Sequence, residues 1–509
     1  MSSQLKENPI NKWLPFWMGL ACAVGLFFGM KIQLPKTKNI EENTAIESRN
    51  AIQKLTDAVS YIHAKYDDSL SYQSIVDKAL VGLTQGLDPY SSYTEYSEKQ
   101  AEIDELDGDY EGIGIECRKV NHRFYVSHVY ENSPASENGL KVGDEILQVQ
   151  DIKLDSTVSI KKVISYIKNS EHELKLGIKS QNGIAEKTLV KRQIKISSIS
   201  YSEDLGNGTI IVGIKNFGDK TYQEFFEVID QYSKKNKVQK LIIDLRDNSG
   251  GFVTAVADIL NQLVPEKDQF MFETLGKNTK TRVYKSLGRP FFKFDKIIVL
   301  VNENTASASE ILAGTLQDLD LAEIIGQNTV GKAMILEQFE LSDKSQLRLV
   351  TGKYKLPSGR IIQKPFNDAQ SEFVETNSAK DKQYFSIKKR RKLDANSGIV
   401  PDIILKPEFD IKPDEREEFQ RSIEDQILVR FDLIKKLNIK SADELTTNKS
   451  LDSLFLNDCS LNIVCKLNQA FYLKEAKKYC INVLFGEAAR RKFELTDDHI
   501  LQSALHVNK

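Results

Sequence analysis

The sequence predicts an α/β protein of several units: a largely parallel central sheet carrying helices, a β-rich module inserted ahead of it, and helical segments flanking both. Two short aliphatic runs, Lys240-Leu-Ile-Ile-Asp-Leu245 and Ile297-Ile-Val-Leu-Val301, have the composition of strands buried on both faces. Each hands over to a stretch of helical period, residues 252–264 and 307–319, and residues 322–325 begin a third strand. Strand–helix–strand order with short connections implies right-handed crossovers and a parallel arrangement. Ahead of this, the runs 124–130, 145–150 and 173–179 read as strands around a helical stretch near 159–168.

The elements are justified in chain order. Residues 1–12 are a short tail, and residues 13–30 (WLPFWMGLACAVGLFFGM) an uncharged apolar run. That run is close to the roughly 20 residues a membrane span needs, and Trp13 and Trp17 suit its interface. No small-x-small cleavage site ends it, and Gly19-Leu-Ala-Cys22 is a poor lipoprotein box. We therefore expect one N-terminal transmembrane anchor with the bulk of the chain exported, periplasmic or otherwise extracytoplasmic. Residues 31–45 are a polar tether. Within residues 46–108, Ile52, Leu55, Val59 and Ile62, then Ile75, Ala79, Leu80 and Leu83, recur at helical spacing until Gly86-Leu87-Asp88-Pro89 stops the pattern. The β-rich module takes residues 109–195, the α/β core 196–408, and a helical extension 409–509, with Ile423, Ile427, Leu428, Phe431 and Ile434 on one helical face.

Composition narrows the function. The 509 residues hold 70 Lys plus Arg against 72 Asp plus Glu, without the basic excess of a nucleic-acid binder. The run Lys388-Lys-Arg-Arg-Lys392 has no aromatic platform and reads as a solvated loop. Five cysteines (Cys22, Cys117, Cys459, Cys465, Cys480) form no CxxC pair, so no zinc site is expected. Export would permit a Cys459–Cys465 or Cys465–Cys480 disulfide, and unpaired thiols in a helical core remain the alternative. Residues 173–498 contain no histidine, so any nucleophile in the core needs another base.

Ligands of parallel α/β sheets bind in the loops that follow the strands. Asp244-Leu-Arg-Asp-Asn-Ser-Gly-Gly251 is one such loop, and its adjacent glycines let backbone N–H groups approach a developing oxyanion. A tight strand-to-helix turn would use the same glycines. Thr305-Ala-Ser-Ala-Ser-Glu310 is the other, where a helix N-terminus meets accessible hydroxyls, although an ordinary N-cap looks alike. A lysine serves as base when burial lowers its pKa, and Lys332 is the natural candidate. Gly326-Gln-Asn-Thr-Val-Gly-Lys-Ala333 also approaches a P-loop. Ala333 lacks the hydroxyl that Mg²⁺ requires, and the following residues alternate like strands rather than opening a helix.

Over residues 50–410 the sequence resembles the carboxyl-terminal processing peptidases, tail-specific serine proteases with an embedded PDZ domain. The resemblance rests on ordered motifs: ALVGLTQGLDPYSSY at 79–93, GDYEGIGIE at 108–116, SPASENGLKVGDEILQV at 133–149, DLRDNSGG at 244–251, VLVNENTASASEILAGTLQD at 299–318, GQNTVGK at 326–332, and LPSGRIIQ followed by GIVPDI at 398–403. It implies a crotonase/ClpP-like core with Ser307 as nucleophile and Lys332 as base. It also implies an oxyanion hole of backbone N–H groups from Gly250, Gly251 and Ala308. Gly112, Ile113, Gly114 and Ile115 match the PDZ loop that binds a peptide carboxylate while the peptide adds as a strand. Unfolded or tail-bearing proteins are the implied substrates, an adaptor protein and homo-oligomers are possible partners, and no cofactor, metal or nucleic acid is implied.

Three positions depart from the family pattern. Leu336 stands where a lysine-orienting glutamine is usual, Ala333 replaces a glycine, and Asp88-Pro89-Tyr90 replaces Asp-Pro-His. Gln338 would share a strand face with Leu336 but lies about 7 Å further along. The expected consequence is slowed catalysis; the alternative is an impaired or inactive relative acting as a PDZ peptide-binding scaffold.

Overall fold

A computed structural model describes residues 38–96, 109–180, 183–364, 383–395, 397–407, 413–459 and 469–506. The expected anchor at 13–30 lies outside them, and among the described residues no helix is long and apolar enough to cross a membrane. The chain divides into two units, Met1–Gly86 and Leu87–Lys509. The first contributes helices Lys38–Lys65 and Tyr72–Gln85; Ser71 caps the second by accepting the Ser74 N–H at 3.1 Å.

The second unit is built on a six-stranded sheet. Its strands are β1 (Ile199–Gly206), β2 (Thr209–Ile214), β3 (Lys240–Asp244), β4 (Lys296–Val301), β5 (Glu323–Gly326) and β6 (Ile403–Ile404), in that spatial order. β1 and β2 pair antiparallel and every later pair is parallel. Helices α1 (Thr221–Lys235), α2 (Val253–Leu263) and α3 (Ala308–Asp318) connect them and cover one face. The aliphatic runs divide by parity, as strand geometry requires. Leu241, Ile243, Val299 and Val301 join the core under these helices, whereas Ile242, Ile298 and Leu300 face the opposite side.

Helix α4 (His499–His506) covers that opposite side with Ile500, Leu501 and Ala504. The end of the chain thus completes the core, which its amphipathic pattern alone did not reveal. The preceding helices form their own cluster around Phe419, Ile423, Ile427, Phe455, Phe471 and Tyr472. Cys480 is buried in that cluster as a free thiol, and Cys465, common to both bridges considered above, lies outside the described residues.

Residues 109–195 fold as a β-rich module whose main sheet runs 115–120, 123–129, 145–149, 173–180, 183–190. A helix over Ile160–Asn169 packs Val163 and Ile167 into its core. The helical extension holds this module: Arg118 pairs with Glu424 at 2.7 Å and Asp425 at 3.2 Å, and the Phe431 ring fills the space a side chain at Gly143 would need. A second, antiparallel sheet brings together Ser92–Thr94, Phe270–Leu275, Arg282–Lys285, Met334–Glu340 and Gln346–Lys355.

Candidate active site

The loops after β3 and β4 are joined by Asn248, which is fully buried. Its carbonyl accepts the Ala306 N–H and the Ser309 hydroxyl, each at 3.0 Å, and its Nδ2 donates to the Ile214 carbonyl at 2.9 Å. Thr305 closes the same junction by donating its hydroxyl to the Leu245 carbonyl at 2.9 Å. These bonds press the glycine turn against Ser307. A Cβ at Gly250 (φ +110°) would lie 2.9 Å from Ser307 Cβ and 3.0 Å from the Ala308 nitrogen, so only glycine fits.

Ser307 itself sits at φ 55°, ψ −115°, a backbone conformation that L-residues rarely adopt. Both of its backbone groups are held: its N–H donates to Glu310 Oε2 at 2.8 Å, and its carbonyl accepts the Glu310 N–H at 2.9 Å and the Tyr354 hydroxyl at 3.3 Å. Its side chain faces the Glu310 N–H in a capping box whose other half is the Glu310 carboxylate on the Ser307 N–H. Among the described residues the N–H groups of Ala308 and Gly251 meet no acceptor. The Gly250 N–H, expected to face an oxyanion, is instead taken by Asn248 Oδ1 at 2.8 Å. The donors available beside Ser307 are therefore those of Gly251 and Ala308.

Lys332 is fastened by the same two groups. Its N–H donates to Glu310 Oε2 at 2.9 Å, and its carbonyl accepts the Tyr354 hydroxyl at 3.1 Å. The other carboxylate oxygen, Oε1, accepts the Gly331 N–H at 2.8 Å and the Thr329 hydroxyl. Glu310 is thus a fully buried carboxylate with four donors. Burial pushes its pKa above the ordinary carboxylate range, while those donors pull it back. Residues 25 apart in sequence, Ser307 and Lys332, are tied by one carboxylate at their N–H groups and by one phenol at their carbonyls. The Gly331 and Lys332 N–H groups are consequently unavailable to a phosphate, and residues 334–340 form a strand rather than the helix a P-loop requires.

The Lys332 side chain lies half-buried, with Nζ 4.5 Å from the centroid of the Tyr90 ring. Burial lowers its pKa below the ordinary lysine range; the Arg348 charge acts the same way, and Glu310 and Asp88 oppose them. No hydrogen bond joins Nζ to Ser307 Oγ. Catalytic hydrogen bonds of this kind commonly close only when substrate is bound. Leu336 is half-buried opposite Val350, a bulge separates it from Ile335, and Gln338 is exposed opposite Arg348.

In the β-rich module Gly112 ends a strand, Ile113 is buried, Gly114 adopts φ +77°, and Ile115 starts the next strand. The Tyr110 ring lies across Gly112, and its hydroxyl meets the Gly114 N–H. Burial and the Glu116 charge push that phenol up to about 12. This loop lines a cavity of about 630 Å³ that is also lined by Asp247 and Ser249 of the glycine turn.

Sequence reasoning reached Ser307, Lys332 and the glycine turn but missed Asn248, Glu310, Tyr354 and Tyr110. A Glu three residues after an N-cap is a capping-box signal, and it was available at Glu310. Glu310→Gln tests the tie. An amide presents one acceptor oxygen to four donors, so we expect a loss of about 1–3 kcal/mol in urea unfolding together with weakened labelling of Ser307 by a fluorophosphonate. Unchanged stability and labelling would show that the carboxylate holds nothing.

With the geometry in hand, residues 208–368 match the model of peptidase family S41 and residues 112–186 that of the PDZ domain. The carboxy-terminal processing protease CtpB of Bacillus subtilis (strain 168) is 27% identical over 347 residues, 66% of this chain and 71% of that protein. CtpA of the same strain is 27% identical over 333 residues, 64% and 69% respectively. The solved photosystem II D1 C-terminal processing protease is 20% identical with a TM-score of 0.37, covering 68% of this chain and 85% of that one. The class is that of PDZ-containing serine proteases. Its core carries a peptidase family S41 domain together with a PDZ domain, the make-up of a carboxy-terminal processing serine protease.

Proposed function

We propose that Ser307 is the nucleophile of this protease and Lys332 its general base. Ser307 Oγ attacks the peptide carbonyl, the Lys332 amine takes the hydroxyl proton and later returns it to the leaving amine, and the oxyanion forms against the Gly251 and Ala308 N–H groups. The observation that carries this reading is the pair of ties, through Glu310 and Tyr354, that fixes residues 307 and 332 beside the glycine turn.

The cavity shared by the PDZ loop and the 247–249 turn supports selection of substrates by their free C-termini. A terminal carboxylate would displace the Tyr110 hydroxyl at Gly114 and lie against the loop from Gly112 to Ile115, leaving the upstream chain near Ser307. A disordered polypeptide tests this in free-acid and C-terminally amidated forms. We expect kcat/KM to fall about tenfold or more on amidation, the equivalent of roughly 1.4 kcal/mol. Equal cleavage would exclude carboxylate selection, and cleavage that survives in Ser307→Ala would exclude the dyad. We infer further that the enzyme is exported behind an N-terminal anchor; the support is the apolar run at 13–30.

A further inference from the structure

Asp88 builds a tight turn that presents Tyr90. Its Oδ1 accepts the N–H groups of Tyr90 at 2.8 Å and Ser91 at 2.7 Å, and Oδ2 accepts the Ser91 hydroxyl at 2.6 Å. Ser91 Oγ in turn accepts the Val350 N–H at 3.1 Å, and the next residues pair with Gln346–Arg348. The Tyr90 hydroxyl shares a hydrogen bond with the Gln363 side chain, whose Oε1 accepts the N–H of Ala333, the residue after Lys332, at 2.8 Å. The ring is therefore fixed at both ends, and its face lies under the Lys332 amine.

We propose that Tyr90 is a positioning residue for the base: its ring seats the charged form of Lys332 and lets the neutral amine go to Ser307. This rests on the assignment of Lys332 as base. An aromatic face attracts an ammonium but has no comparable hold on an amine. Loss of the proton thus removes the attraction and frees the side chain in the state that can accept a proton from Ser307. The other charges facing Lys332 are Arg348 from the antiparallel sheet, Glu310 from α3 and Asp88 from the same turn. Nearby, the Lys364 ammonium donates to the Thr329 carbonyl at 3.1 Å. These groups are common to all the variants below, so a difference among them reports on the ring.

Two properties of the ring act on Lys332 with opposite signs. Its face favours the ammonium, whereas its bulk keeps water away and favours the amine. Tyr90→Leu removes the face and keeps bulk, so the midpoint of Lys332 should fall by roughly 0.5–1 pH unit. Tyr90→Ala removes both and admits water, so the midpoint should rise above that of Tyr90→Leu. Tyr90→Phe keeps the ring and should leave it unchanged.

Competitive amine labelling of the whole protein across a pH series, read by peptide mass at Lys332, measures this without requiring turnover. In parallel, the acid limb of kcat/KM should move to lower pH in Tyr90→Leu. An unmoved or raised midpoint in Tyr90→Leu overturns the proposal even if Ser307→Ala and Lys332→Met are inactive. A lowered midpoint with an unmoved acid limb retains the seat but rejects Lys332 as the base, which separates failure of this inference from failure of the dyad. Should Tyr90→Ala fail to fold, the Leu and Phe variants carry the comparison.

Discussion

Ser307→Ala is expected to lower peptide-bond cleavage by roughly four to six orders of magnitude, the usual scale for removing a serine nucleophile, while leaving the fold intact. The two halves of that expectation have separate causes. The bonds that hold Ser307 in place are those of its own backbone: its N–H on Glu310, and its carbonyl under the N–H groups of Glu310 and Ile311 and the Tyr354 hydroxyl. The Glu310 N–H that the Ser307 side chain caps also reaches the Ser307 carbonyl at 2.9 Å, so alanine leaves no buried donor unsatisfied. Alanine also meets the same φ of 55° that serine does, without new strain. Unfolding free energy should stay within about 0.5 kcal/mol of wild type, with the variant refusing a fluorophosphonate. Cleavage of a disordered substrate at an undiminished rate would place the nucleophile elsewhere. Loss of activity together with a large loss of stability would mean that the hydroxyl is a structural group.

That contrast explains which features the sequence discloses. The doubly buried strands β3 and β4 are readable because their aliphatic runs are short and bounded by loops of small residues, and parallel packing leaves few other uses for such a pattern. Ser307 and Lys332 are readable because their chemistry is rare in their setting: a hydroxyl at a helix N-terminus, and a lysine in a glycine turn of a core without histidine. The groups that tie them are less visible. Glu310 looks like an ordinary N-terminal helix residue, and Tyr354 like one of several alternating residues in a strand. Only the fold turns one into a four-donor carboxylate and the other into a bridge between two carbonyls 25 residues apart. Asn248 is hidden for a similar reason, since its partners lie far off in sequence, at the end of β2 and around the start of α3. Helix α4 carries its apolar residues openly, yet nothing in its pattern names the sheet face that it covers. Leu336 illustrates the reverse case. Its departure from the family pattern is plain in the sequence, but the bulge at 335/336 and the exposure of Gln338 are properties of the sheet.

Lys332→Met should be as inactive as Ser307→Ala, and yet more stable than wild type at neutral pH. Methionine keeps an unbranched side chain against the Tyr90 ring and can make a favourable sulfur–aromatic contact, so little packing is lost. What disappears is a charge that burial disfavours. The sign follows from proton linkage. Because the folded-state pKa of Lys332 lies below the unfolded value of about 10.4, the unfolded chain binds more protons between those two pH values, and stability rises with pH across that window. The penalty of burying the ammonium is full below the folded pKa and absent above the unfolded one. The advantage of Lys332→Met should therefore be largest at neutral and lower pH and fade as the pH passes the ordinary lysine range. Lys332→Arg should be inactive without that gain, since a guanidinium stays charged and is bulkier. Urea midpoints of the three proteins across pH separate the possibilities. A Met variant less stable than wild type at neutral pH would mean that the ammonium is welcome where it sits. A welcome ammonium holds its proton, and a side chain that holds its proton cannot take one from Ser307.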